Sequence, residues 1–168
     1  MTEMIAENGF MALLPILRQG YDAYAEVGGS RDYPLLKGRV YFYQTAQGVL
    51  VVADLKGLPF GTGACAGRIF GFHIHEGSSC KESTGEDPFP GTMGHYNPSD
   101  CPHPGHAGDL PPLFGNHGRA FSTFLTDRFK VREIIGRTVV IHDRPDDFRT
   151  QPSGNSGTKI ACGQIRHG

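Results

Sequence analysis

The chain has no excess of charge of either sign. Sixteen Lys and Arg face seventeen Asp and Glu, a formal balance of −1 at pH 7. With no basic run or patch, a nucleic-acid partner is not expected. No apolar stretch reaches the length of a membrane-spanning helix, so no membrane span is expected. Internal repeats and low-complexity tracts are missing, which excludes a solenoid. No H-E-x-x-H occurs, which argues against a zinc protease of that type. Residues 1–18 lack the marks of a signal peptide: Glu3 and Glu7 stand where positive charge belongs, and Pro15 interrupts the apolar run. The expectation is a cytoplasmic chain, or an extracytoplasmic one whose signal has been removed, and the sequence leaves these two open.

What the chain does have is glycine and proline, 24 and 12 of 168 residues. Punctuation at such short intervals favours many turns between short strands, hence an all-β sandwich or barrel in one domain. Strands are expected at 23–27, 38–45, 48–55, 69–76, 119–125, 137–142 and 159–165, with a hairpin turn at Gln47-Gly48 and a flexible connection over 57–67. Residues 1–22 read as an N-terminal extension ahead of a barrel domain at 23–168. A short helix could form there, with Phe10, Leu13, Leu14 and Leu17 on one side and Gly20 as its stop. Two polar loops stand out, 77–113 and 143–158. The first is long, poor in aliphatics and rich in Cys and His, as a loop pinned by metal would be.

Within the strand at 69–76, His73 and His75 are two apart and leave on one face, while Phe72 and Ile74 face a core. Two neutral imidazoles on one side of a rigid strand are half of a transition-metal site. The bland alternative is a pair of polar residues on a solvated face. A second cluster, His95-x7-His103-x2-His106-x2-Asp109, offers three imidazoles and a carboxylate, the ligand types and number that zinc takes. A third fragment is an apolar strand ending in His142. His117 and His167 fall in a turn and at the C-terminus and read as surface residues.

The stretches GFHIHE, GHYNP, HPGHAGDLPPLFGN, IIGRTVVIH and GNSGTKIACGQI, in this order over about residues 38–165, resemble the copper–zinc superoxide dismutase family. The short gap from His75 to Cys80 resembles its bacterial branch. The resemblance implies an eight-stranded Greek-key β-barrel, its metals held outside the barrel under two long functional loops. It implies copper and zinc as cofactors and superoxide as the substrate, dismuted to oxygen and hydrogen peroxide through cyclic reduction and reoxidation of copper. Position by position it makes His73, His75, His95 and His142 copper ligands, and His95, His103, His106 and Asp109 zinc ligands. His95 is then shared, and Asp146 is the carboxylate behind a histidine of each metal. It pairs Cys80 with Cys162 and leaves Cys65 and Cys101 without a role. It also allows a homodimer.

The chain departs from the family pattern at Lys159, where an arginine usually stands beside copper. Lysine keeps the charge that attracts an anion and loses the planar fork of donors. Arg144 and Arg149 could supplement it. Two other readings stay open: a non-catalytic metal-binding or copper-chaperone-like module on the same fold, and a cupin-like single-metal enzyme built on H-x-H. The latter leaves the second cluster unexplained.

Overall fold

In a computed structural model, residues 9–63 and 68–168 are described. The elements in order are a helix, α1 (Gly9–Arg18), then strands β1 (Ala23–Gly29), β2 (Lys37–Thr45), β3 (Gly48–Lys56), β4 (Ile69–Phe70), β5 (Phe72–His75), β6 (Leu113–Phe114) and β7 (Arg119–Thr126). A one-turn helix, α2 (Val131–Ile134), precedes β8 (Thr138–His142) and β9 (Lys159–His167). Seven strands form one antiparallel sheet in the order β5-β8-β9-β1-β2-β3-β7, and β4 pairs separately with β6.

The strand expected at 69–76 is one path broken at Gly71, so its first half lies on β6 and its second on β8. With β6 returning into β7 through the Asn116–Arg119 bridge, the sheet curls round on itself into a barrel. Among the described residues, counting β4 and β5 as one gives eight strands, the number expected. Gly71 sits against the end of β8 and both ends of the loop 143–158. Its amide donates to the Arg144 carbonyl at 2.7 Å, and its carbonyl accepts from His142 at 2.9 Å. A Cβ there would stand 2.8 Å from the Ser156 Cβ, so only glycine fits without displacement.

The inner wall is apolar. Phe42, Leu55, Phe70, Phe72, Ile74, Ile141 and Ile160 are fully buried in a single cluster. Burial of each such side chain contributes roughly 1.5–3 kcal/mol. On β3 the alternation that fixes register runs through Val49, Val51, Ala53 and Leu55, all inward.

Several features went unread in the sequence. Leu113–Phe114 is a strand rather than the end of a loop, α2 is a helix, and β9 runs on to His167. Cys65 and residues 64–67 of the expected flexible connection lie outside the described residues. The expected helix stop at Gly20 has the left-handed φ of +90° that glycine tolerates. No helix among the described residues is long and apolar enough to cross a membrane.

The long loop is ordered by backbone pairing. On the side of β5 away from β8, Ile74 donates to Gly108 (2.9 Å) and accepts from Tyr96 (2.8 Å). Glu76 donates to Gly94 (2.9 Å), and Leu110 donates to Phe72 (3.3 Å). The Cys80–Cys162 disulfide, with Cα atoms 5.6 Å apart, ties the start of the loop to β9 across 82 residues. A closed loop of that size stabilises by about 4–5 kcal/mol in the chain-entropy account. Among the described residues Cys101 has no disulfide partner.

Candidate metal centre

The loop pairing sets the site. It places His95 opposite His75 and Asp109 opposite His73, as isolated bridges beside β5. β8 runs antiparallel to β5 on the other side and ends in His142. Two groups of ligand-type atoms result, each mutually within 4.8 Å: His73, His75, His95 and His142, and His95, His103, His106 and Asp109. All seven residues are buried. His73 and His75 are 0% and 2% exposed, which rules out a solvated face.

Outer contacts decide which ring nitrogen each histidine presents. His75 Nδ1 donates to the Met93 carbonyl (2.9 Å), and His142 Nδ1 to the Gly157 carbonyl (3.3 Å). Each then keeps an unprotonated Nε2, and these two atoms stand 3.3 Å apart. Asp146 accepts from His73 Nε2 at 2.7 Å and from His103 Nε2 at 2.9 Å, so one carboxylate orients a ring in each group. That leaves His73 Nδ1, His103 Nδ1 and His95 Nε2 buried without a hydrogen-bond partner. Buried lone pairs facing one another and orphaned ring nitrogens are costly unless a cation satisfies them. The donor set therefore fits bound metal. Imidazole-only ligation suits copper, and three imidazoles with a carboxylate suit zinc.

His95 belongs to both groups. Its Nδ1 lies 2.7 Å from Asp109 Oδ1 and 3.4 Å from His106 Nδ1, while the unpartnered Nε2 is left for the other group. His73 and His95 lie with ring centroids 3.9 Å apart.

The electrostatics agree. Burial holds the His75 and His142 imidazoles well below their ordinary pKa, with mutual repulsion among the rings adding to it. Burial also lowers His73, to about 4, against the pull of Asp146. For Asp146, burial alone would raise the carboxyl. Hydrogen bonds from His73, the Phe148 amide and His103 outweigh it and hold the group well below the carboxylate range. Asp109 is likewise lowered: burial opposes ionisation, and the bond to His95 and the neighbouring rings favour it. Gly154 shapes this corner, since with φ +68° any Cβ would run into the Asp146 carboxylate.

Lys159 opens β9 opposite His142. Arg144 and Arg149 are exposed on the polar loop. Two residues beside the site escaped sequence reasoning. One Nη of Arg128 donates to the carbonyls of Pro104, His106 and Asp109 at 3.0, 3.1 and 3.2 Å. Asp87 pairs with Lys159 at 2.6 Å. Neither carries a local signal, since each acts across a long sequence separation.

A β-barrel whose outer wall holds two buried ligand groups joined by one histidine defines a protein built for a dinuclear metal centre. A family profile described as Copper/zinc superoxide dismutase (SODC) matches residues 36–165. The chain is 34% identical over 144 residues to "Superoxide dismutase [Cu-Zn] 2" of Aquifex aeolicus (strain VF5), covering 77% of this chain and 78% of that one. It is 34% identical over 153 residues to "Superoxide dismutase [Cu-Zn]" of Legionella pneumophila, covering 86% and 87%. Among solved structures, "Cu/Zn superoxide dismutase from Brucella abortus" superposes with a TM-score of 0.70 at 25% identity, covering 84% of this chain and 98% of that one. The chain belongs to the copper/zinc superoxide dismutase family.

Proposed function

We propose that the protein dismutes superoxide, with His73, His75, His95 and His142 holding copper, and His95, His103, His106 and Asp109 holding zinc. The observation that carries this reading is the imidazole of His95, common to both ligand groups and buried between them. Bound copper supplies a reversible one-electron couple, through which one superoxide is oxidised to O2 and a second, with two protons, is reduced to H2O2. Zinc has no such couple and serves structure.

The rest is work for the chain. Asp146 fixes ring orientation in both groups through His73 and His103. The carbonyls of Met93 and Gly157 fix the tautomers of His75 and His142. Nε2 of His95 is the ring atom placed to hold a proton and release it to the reduced substrate. Lys159, whose positive charge reaches His142, is the cation placed to draw the anion in. A homodimer would have a surface to use in the exposed Phe114, Phe121 and Leu125 of β6 and β7.

The test is metal analysis of purified protein with a dismutation assay before and after copper loading. Two metals per chain and activity that appears with copper are expected. Zinc binding with no activity after loading would favour a non-catalytic metal-binding module.

A further inference from the structure

The cation opposite His142 is not free. Lys159 Nζ donates to Asp87 Oδ2 at 2.6 Å and to the Phe89 carbonyl at 3.2 Å. Its side chain is 14% exposed and that of Asp87 44%, so the ammonium is sheltered and the carboxylate lies outward of it. Asp87 is held in place: its Oδ1 accepts the Phe89 amide at 2.9 Å. Phe89 is 4% exposed and packs with Val140 and the disulfide cysteines. The loop therefore delivers this carboxylate onto Lys159 from a buried anchor. Glu82 and Glu86 lie nearby in the same segment, against a single Lys81.

Stability alone is a weak reason for the contact, since a partly exposed ion pair contributes only about 0–1 kcal/mol. The electrostatic consequence is larger. A positive charge in contact with a negative one presents a dipole, and a dipole's field falls off faster than that of a lone charge. We infer that Asp87 is a positioning residue that damps anion capture: it clamps Lys159 and cancels most of the attraction the lysine would exert on superoxide. The inference rests on the dismutase reading, in which Lys159 is the anion-guiding cation. The Phe89 carbonyl would keep the ammonium in place once the Asp87 charge is removed.

The experiment uses the copper- and zinc-loaded protein, with inorganic azide as the anion probe, read by the copper absorption spectrum. Asp87→Asn is expected to tighten azide binding and raise kcat/KM for superoxide by about three- to tenfold at low ionic strength, the gain shrinking as salt screens the field. Asp87→Ala should do the same, which removes the concern that an amide still bonds Lys159. In the double variant Asp87→Asn/Lys159→Met the gain should vanish. Acylation of Lys159 by an amine-reactive reagent, followed by mass spectrometry, should also be faster in Asp87→Asn. If both Asp87 variants bind azide as the wild type does while Lys159→Met weakens it, the damping role is overturned and the dismutase reading stands. Loaded wild type without dismutation would instead overturn the reading itself.

Discussion

His75 and His142 face each other through Nε2 atoms 3.3 Å apart, each ring turned so by a carbonyl behind it. Neither nitrogen can satisfy the other, and burial keeps both rings from accepting a proton near neutral pH.

That arrangement fixes the direction of a pH effect on the metal-free protein. The folded-state pKa of His73, His75 and His142 lies below the ordinary 6.5, with His73 near 4. The unfolded chain therefore binds protons that the folded chain refuses. Stability should be full above about pH 6.5 and fall as pH drops toward 4, by about 1.4 kcal/mol per pH unit for each excluded ring. Denaturant titrations of metal-free protein between these limits measure the slope. A flat or opposite profile would contradict the burial argument.

Asp146 touches a histidine of each group, so its loss should be felt at both metals. Asp146→Ala is expected to weaken copper and zinc affinity each by about 10–100-fold. Competition against chelators of known affinity reads the two separately. A loss confined to one metal would mean that the carboxylate supports only one ring.

Arg128 gathers three carbonyls of the loop that bears His103, His106 and Asp109 with one nitrogen. Replacement by alanine leaves those acceptors to water or to nothing; the nitrogen has two hydrogens for three carbonyls, and a hydrogen bond from a charged group contributes about 1.5–3 kcal/mol net. Arg128→Ala should weaken zinc binding more than copper binding and lower stability by about 2 kcal/mol. Lysine, with its charge but no fork, should recover only part of it. Calorimetric zinc titration of the two variants decides the order.

The disulfide joins the loop to β9 close to Lys159. Cys162→Ser should cost about 2–5 kcal/mol of stability, read by denaturant unfolding under oxidising conditions. Wild-type protein treated with a thiol reductant should show a similar loss.

Much of the site was legible because its chemistry is written in short, rigid stretches. His73 and His75 lie on one face by strand period alone, and the spacing from His95 to Asp109 carries its own donor set. Turn residues gave an all-β sandwich or barrel, and the family resemblance narrowed that to the barrel. What could not be read depends on contacts between distant segments. Leu113–Phe114 is a strand because it meets Ile69–Phe70, and two residues give no periodicity. Val131–Ile134 is too short for a helical pattern. Lys159 reads as a free cation in sequence, and only the fold brings Asp87 to it from 72 residues away.

The loop that carries His95 and Asp109 also occupies the outermost row of donors and acceptors on β5 through Gly94, Tyr96, Gly108 and Leu110. An open strand margin is a template for pairing with another chain. The ligand-bearing segment thus also covers a strand margin that would otherwise lie open to another chain.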